Sequence, residues 1–145
     1  MELTLTPLKD FHEIFETFPI YKDCMYMPTE EKFRSKLQNY LKNGNIKFFA
    51  AREKGILTGV LALSQSGKTA EIIGIAVDPA HRGKGTGSFM INNAAKELGV
   101  SELYAETDSD AVGFYRKSGF ETREFTKEYD GEKITRFSCR LKFRP

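Results

Sequence analysis

The sequence predicts one α/β domain of the α+β kind, with a mixed, mostly antiparallel sheet of about seven strands flanked by about four helices. Three observations predict this class. Apolar and polar residues alternate in several short segments, which is typical of strands. Glycine-centred turns join neighbouring segments as hairpins. An apolar strand then runs into a glycine-rich loop, a helix and another strand, which indicates a βαβ unit with parallel strands.

The N-terminal part predicts a short strand and two helices. The strand covers 2–6, and Pro7 is expected to end it. Apolar side chains then recur at helical spacing, and Pro19 is expected to stop this first helix. Thr29 is suited to cap the start of a second helix. We expect 19–28 to be an irregular connection rich in aromatic side chains.

The rest of the chain predicts a meander, the βαβ unit and a C-terminal hairpin. Strand 71–77 is apolar on both faces, which indicates a covered, central position in the sheet. Gly74 within it indicates a bulge or a close approach by a ligand. A helix is expected to end at Gly99, and a shorter one covers 108–118. The other expected strands lie at 46–52, 56–63, 102–107, 120–125 and 134–141.

Composition and charge restrict the class of function. The chain has 145 residues, 40% of them hydrophobic, and a net charge of +2. This describes a soluble globular domain and gives no reason to expect nucleic acid or a membrane as partner. Cys24 and Cys139 lack metal-ligand spacing, so we expect free thiols and no metal. No leader or spanning segment is visible, so we expect a cytoplasmic protein, one domain over 1–145, as monomer or homodimer.

A glycine-rich, basic loop follows strand 71–77. Its glycines let successive backbone N–H groups turn toward one point, and the helix behind it adds partial positive charge. Side-chain cations stand beside these N–H groups, so the loop predicts a phosphorylated ligand. The loop residues that carry this prediction are Arg82, Gly83, Lys84, Gly85, Thr86 and Gly87.

Two nucleotide-binding loops fit this spacing poorly. A nucleoside-triphosphatase loop needs G-x-x-x-x-G-K-[ST], but Lys84 is followed by Gly85. A dinucleotide loop needs G-x-G-x-x-G, whereas the three glycines here are spaced G-x-G-x-G. The pattern that does match is R-x-x-G-x-G, which starts at Arg82.

Two further motifs accompany the loop. The strand before it ends Ala-Val-Asp-Pro at 76–79, and A-V-G-F-Y-R-K-S-G-F follows at 111–120. With these motifs, the chain resembles the GCN5-related N-acetyltransferase (GNAT) superfamily over nearly its whole length. The resemblance implies an acyl-CoA-dependent N-acyltransferase that passes acetyl from acetyl-CoA to a primary amine within a ternary complex. The alternatives are a longer acyl chain, or a non-catalytic CoA-binding or regulatory module of the same fold.

The resemblance also implies a binding mode for coenzyme A. Backbone N–H groups of 82–87 would hold the pyrophosphate, and the pantetheine arm would lie between strands 71–77 and 102–107, which splay apart. The family often has Asn where this chain has Asp108. The implied cofactor-binding residues are Ile75, Ala76, Val77, Arg82, Gly83, Lys84, Gly85, Thr86, Gly87, Asp108, Ala111, Phe114 and Tyr115.

Three residues are candidates for proton transfer. The resemblance implies that Tyr115 protonates the departing sulfur, because an ordinary phenol is protonated at neutral pH. Either Glu71 or Glu106 could take the proton of the amine, directly or through water. We favour Glu71, which by alternation shares a face with Ile73, Ile75 and Val77. Structural roles for all three remain alternatives.

The acceptor amine is expected to bind between two variable segments, 19–28 and the hairpin 126–133. Aromatic faces and a carboxylate in these segments could grip an ammonium group. The acceptor would be a small molecule or a peptide amine. A simple covering role over the core is the other interpretation of the same residues. The candidates are Tyr21, Asp23, Tyr26 and Tyr129.

Overall fold

The computed structural model describes residues 2–143, and its seven strands form one sheet. The strands are β1 (Leu3–Leu8), β2 (Ile46–Glu53), β3 (Ile56–Ser66), β4 (Thr69–Val77), β5 (Glu102–Thr107), β6 (Glu121–Tyr129) and β7 (Glu132–Lys142). Their spatial order is β1-β2-β3-β4-β5-β7-β6. The β4–β5 pair is parallel and the other neighbours are antiparallel. The predicted mixed, mostly antiparallel sheet with a central βαβ unit is confirmed.

Helices cover the sheet from both sides. They are α1 (Phe11–Phe15), α2 (Phe18–Tyr21), α3 (Glu30–Leu41), α4 (Thr86–Leu98) and α5 (Val112–Lys117). The first three pack with the β2–β4 half of one face, which we call the α3 face. The helices α4 and α5 pack on the opposite face, which we call the α4 face. Each face therefore has its own core.

The expected first helix is in fact two helices, so five helices flank the sheet instead of four. Pro19 does not stop a helix but occupies the first turn of α2. Proline is accepted there because an N–H in the first turn has no acceptor within the helix. The connection predicted to be irregular thus begins with α2 and a 3₁₀ turn at Lys22–Cys24.

Pro7 also behaves differently from the prediction. The strand β1 continues through Pro7 to Leu8, and Pro7 lies opposite Phe49 of β2. This is possible because β1 is an edge strand, where the missing N–H of proline need not face a partner.

The two cores are fully closed at their centres. Phe33 and Leu37 of α3 are completely buried on the α3 face, and Met90 and Leu103 are completely buried on the α4 face. Burial of each such side chain contributes about 1.5–3 kcal/mol to folding. Both layers hold β4 in place, which confirms its predicted central position.

A bulge at Ile73 changes the direction of side chains along β4. Gly74 pairs with Ala62 and Ile72 pairs with Leu63, so Ile73 is the extra residue. The predicted shared face is therefore wrong beyond the bulge. Glu71 and Ile73 lie on the α3 face, whereas Ile75 and Val77 pack into the α4-face core. The bulge inverts the alternation because it adds one residue to a period of two.

The bulge also brings Gly74 against Tyr21. A Cβ built on Gly74 would lie 2.2 Å from the Tyr21 hydroxyl oxygen, with ring carbons at 2.6 and 2.7 Å. The close approach that the glycine predicted is therefore made by the protein's own tyrosine.

Gly74→Ala should destabilise the protein by at least about 2 kcal/mol, because the added methyl group overlaps a buried ring. For a chain of this size, that is a fall in Tm of about 4–8 °C. Gly44→Ala is the matched control, since a Cβ at Gly44 would meet no atom within 4 Å. Equal Tm values for both variants, measured by calorimetry, would show that Tyr21 can move aside.

Candidate active site

The parallel strands β4 and β5 separate into a fork at the centre of the sheet. They pair at three positions, the last being Glu71 opposite Tyr104. Beyond it, β4 continues to Val77 and β5 to Thr107 without pairing. A gap therefore opens toward the C-terminal ends of both strands. Its β4 side presents strand edge at 75–77, which an extended ligand arm can pair with as an added strand does.

The glycine loop lies directly beyond the open end of β4. A 3₁₀ turn at Pro79–His81 leads into it, and Gly83 and Gly85 adopt the left-handed region with φ of +78° and +83°. No side chain caps the start of α4, which begins at Thr86. Within residues 2–143, the N–H groups of 83–85 have no protein acceptor. The loop thus presents unpaired donors at a helix N-terminus, which suits a phosphate group.

Side-chain cations border these donors. The Nε of Arg82 donates to the Val77 carbonyl at 3.0 Å, and its Nη2 lies 3.1 Å from Oδ2 of Asp23. The Nζ of Lys84 lies 3.7 Å from a carboxylate oxygen of Glu53. Arg82 and Lys84 are largely exposed, and such pairs are worth about 0–1 kcal/mol, so an anion can compete for them.

The helix α5 places Tyr115 on the α4 face, next to the loop. Phe114 packs so closely on Gly87 that a Cβ there would lie 2.5 Å from its ring. Tyr115 is 6% exposed, and its ring meets Phe120 edge-on at 5.2 Å between centroids. Burial raises the pKa of Tyr115, so its phenol stays protonated well above neutral pH. Its hydroxyl makes no hydrogen bond to the described part of the chain.

The two candidate bases lie on the other side of the fork. Glu71 and Glu106 both belong to the α3 face and are exposed. Glu71 takes part in no ion pair with the described residues. Glu106 is held by two cations, with its Oε1 lying 3.4 Å from Nζ of Lys127 and 3.5 Å from Nε of Arg136. The sheet thus separates the carboxylates from Tyr115, and the gap connects the two sides.

Asp108 is used locally, in the turn before α5. Its Oδ1 accepts hydrogen bonds from the backbone N–H groups of Asp110 at 3.0 Å and Ala111 at 2.9 Å. The carboxylate therefore fixes the entry of α5. It stabilises the helix that carries Tyr115 whether or not it also touches a ligand.

The four acceptor candidates are not brought together in one place. Tyr21 is 3% exposed, so it forms part of the core beneath β4 and not an open wall. Asp23 lies at the mouth of the gap, paired with Arg82. Tyr26 is 85% exposed, and Tyr129 is 44% exposed with Lys127 over its ring. The two segments therefore border the α3 side of the fork separately.

Two neighbours of the fork were missed by sequence reasoning. The Cys24 thiol donates to the Tyr21 carbonyl at 3.1 Å, and the 3₁₀ turn that carries it packs on β4. Desolvation of this sulfur raises the pKa of the Cys24 thiol to about 11, so it is not an active nucleophile at neutral pH.

Arg136 is the second neighbour of the fork that the sequence did not indicate. Alternation along the last strand, counted from buried Phe137, places it on the same face as Glu106.

Other site types find no support in residues 2–143. That range contains no helix of the length and apolar character needed to cross a bilayer. It also contains no group of three or more His, Cys, Asp and Glu side chains arranged to hold a metal ion.

Comparison with known proteins identifies the family. A sequence model of the Acetyltransferase (GNAT) family matches residues 10–120, more than half of the chain. The uncharacterized N-acetyltransferase MJ1207 from Methanocaldococcus jannaschii is 31% identical over 140 residues, which cover 86% of this chain but only 61% of MJ1207.

Solved structures agree with this match at the level of the fold. A Bacillus subtilis acetyltransferase in complex with CoA has a TM-score of 0.70 and 18% identity, with 99% of this chain and 100% of that chain covered. A chimera of the spermidine N-acetyltransferase SpeG from Vibrio cholerae and hSSAT has a TM-score of 0.76 and 19% identity, with 98% and 96% covered. The chain belongs to the GNAT acetyltransferase family.

Proposed function

We propose that this chain binds acetyl-CoA and transfers its acetyl group to a primary amine. The observation that carries the proposal is the fork between β4 and β5, which opens beside the uncapped N-terminus of α4. An extended arm in the gap and a pyrophosphate on the loop would lie end to end. A fold relative in complex with CoA and an N-acetyltransferase relative support the same assignment.

The donor would be held mainly by backbone. The N–H groups of 83–87 would bind the pyrophosphate, with Lys84 and Arg82 adding charge at its rim. The arm would pair with the open edge at Ile75, Ala76 and Val77. The N–H of Ile75 would bind the thioester carbonyl oxygen and stabilise negative charge there.

Direct transfer must deprotonate the acceptor ammonium and protonate the departing thiolate, and the fork offers one group for each task. Glu71 would take a proton from the ammonium, through water, leaving the amine free to attack the thioester carbon. The new C–N bond forms as the C–S bond breaks. Tyr115 would then give a proton to the departing thiolate on the α4 face, and the second proton lost by the nitrogen would restore the phenol through water. Acetyl-CoA and an ammonium group thus yield an amide, CoA with a free thiol and one released proton.

Binding and catalysis can be tested separately. Acetyl-CoA at 100 times its Kd should stabilise the protein by about 2.7 kcal/mol, seen as a rise in Tm. A thiol-release assay with a panel of amines then tests transfer. If binding occurs but no amine releases CoA, the chain is a non-catalytic CoA-binding module. If Tm does not change at millimolar acetyl-CoA, the proposal is wrong.

Gly85→Val should abolish the rise in Tm caused by acetyl-CoA. Valine is strongly disfavoured at a φ of +83°, so the loop would turn its N–H groups away from their common point. Gly44→Ala serves as control and should keep the full rise in Tm. Lys84→Gln removes only a charge and should weaken binding by about tenfold or less, given its exposure. If acetyl-CoA raised the Tm of Gly85→Val as much as that of the unmodified protein, the loop would not be the binding site.

Acceptor identity, oligomeric state and the cytoplasmic location stay predictions. Either a small-molecule or a peptide amine fits the open α3 side of the fork. If the chain transfers a longer acyl group, the thiol-release assay should show faster CoA release with the corresponding acyl-CoA than with acetyl-CoA.

A further inference from the structure

We infer, on the basis of the proposed function, that the acceptor is a small amine that also carries an anionic group, which Arg136 and Lys127 bind. Arg136 lies one strand away from the gap and Lys127 two strands away, both on the same face as Glu71 and Glu106. The acceptor amine would lie at the gap and its anionic group above β7. Arg136 and Lys127 are then specificity-determining residues.

Strand register places these cations on open sheet. Phe137 of β7 pairs with Thr107, the last residue of β5, so Arg136 lies just past the end of β5. Lys127 of β6 is on the same face, because it pairs with Ile134, two residues before Arg136. Among the described residues, no helix packs on the α3 face of β5, β7 and β6. A ligand entering the gap from this face therefore meets both side chains without displacing any element.

The Arg136 guanidinium is incompletely partnered. Its Nε is buried and makes no hydrogen bond within residues 2–143, although Oε1 of Glu106 lies 3.5 Å away. Its side chain is 25% exposed, so the guanidinium keeps access to the open face. Lys127 lies 3.4 Å from the same oxygen, with its Nζ 5.4 Å from the centre of the Tyr129 ring. One carboxylate between two cations leaves positive charge for an added anion, and a guanidinium matches carboxylate or phosphate geometry.

The balance of charge at the fork favours an acceptor with both signs. Three carboxylates border the gap on this side, with Glu71 at its closed end and Asp23 and Glu106 nearer its open end. Three cations border it as well, from Arg82, Lys127 and Arg136. A polycation such as a polyamine would gain no favourable electrostatic interaction with Lys127 and Arg136. A molecule with an ammonium group and an anion can pair with Glu71 at one end and with Arg136 at the other.

The test uses acceptors that differ only in the anionic group. Free amino acids are compared with their carboxamides, phosphoethanolamine with ethanolamine, and spermidine represents polycations. At least one anionic member should exceed its neutral partner tenfold or more in kcat/KM, as expected for a charge-assisted hydrogen bond. The pair that shows the preference identifies the anion as carboxylate or phosphate.

Arg136→Gln should remove that preference, mainly through a higher KM for the acceptor, with the KM for acetyl-CoA unchanged. Arg136→Lys should retain part of the preference. Arg123→Gln, on the same face and exposed, is the charge-matched control and should behave like the unmodified protein. The Tm with acetyl-CoA shows for each variant whether the fold and donor site are intact.

Several outcomes would overturn this inference. The first is a higher kcat/KM for spermidine or for the neutral partners than for the anionic acceptors. The second is an equal loss of kcat/KM for anionic and neutral acceptors in Arg136→Gln. The third is the absence of turnover with any anionic amine. The proposed function fails differently, through the absence of any rise in Tm with acetyl-CoA. If CoA were released with spermidine and with no other amine, the proposed function would stand and only the present inference would be wrong.

Discussion

Glu71→Gln should lower kcat by a factor of about 10²–10⁴, the usual range for loss of a general base. Glutamine keeps the size of the side chain but cannot take a proton from the acceptor ammonium. Glu71 is exposed at the last paired position of the fork and has no ion pair among the described residues. Steady-state kinetics would show a lower kcat with little change in the KM for acetyl-CoA. The loss should be smaller at high pH, where the amine is already neutral.

Glu106→Gln is the matched comparison, since both carboxylates lie on the α3 face of neighbouring strands. Its Oε1 is already held by Lys127 and Arg136, so we expect its loss to alter acceptor KM more than kcat. If Glu106→Gln lowers kcat more than Glu71→Gln does, the two assignments must be exchanged. If neither variant loses activity, water or the substrate itself takes the proton.

Tyr115→Phe should lower kcat by about 10², the lower end of the range for general acid catalysis. Phenylalanine fills the same space against Phe120, so the core is preserved and only the hydroxyl is lost. Because burial raises the pKa of Tyr115, the phenol remains a donor through mildly alkaline pH. The rate of the unmodified protein should therefore show no decline near pH 9–10 from an ordinary tyrosine ionisation.

Tyr40→Phe provides the control for this substitution. Tyr40 is a half-buried tyrosine that packs on Phe48 in the α3-face core, on the opposite side of the sheet from Tyr115. Both variants should bind acetyl-CoA as the unmodified protein does, measured by calorimetry. Unchanged kcat in Tyr115→Phe would remove this residue from the mechanism.

The sequence predicted the sheet well because its signals are local. Period-two alternation, hairpin turns and the strand–loop–helix–strand spacing each depend on a few neighbouring residues. The glycine loop was recognisable for the same reason, since its backbone geometry requires glycine at 83 and 85. The fold class and the strand number followed from these signals, whereas the family was indicated by the resemblance of the loop, the strand before it and the 111–120 motif.

The sequence-based predictions were wrong where one added residue or a contact between distant residues decides which way a side chain points. Alternation assigned Glu71 and Ile75 to one face, but the bulge at Ile73 separates them. Gly74 signalled the irregularity without showing which residue was extra. Tyr21 was expected near the acceptor, yet its ring is buried by stacking on Phe33 and packing on Gly74. The contact between Tyr21 and Gly74 joins residues 53 positions apart and leaves no periodic trace in the sequence.

The site was only partly predictable for a related reason. Tyr115, Glu71 and the loop belong to motifs that are contiguous in sequence, whereas Arg136 approaches the fork only through the pairing of β5 with β7. The position of Arg136 is readable after that register is known. The position of Cys24 beside β4 likewise depends on tertiary contacts of the 3₁₀ turn that carries it, which the local sequence does not indicate.

The inverted faces of β4 have a consequence for how the protein can change during evolution. On the donor edge, Ile75 and Val77 point toward α4, whereas the residues that would choose the amine lie on the opposite face of the sheet. Substitutions in the 22–28 segment or on β6 and β7 can therefore alter selectivity without disturbing the donor site. The extra residue at Ile73 makes the two sets independent, so we expect close relatives to diverge in their amines before they diverge in their donor.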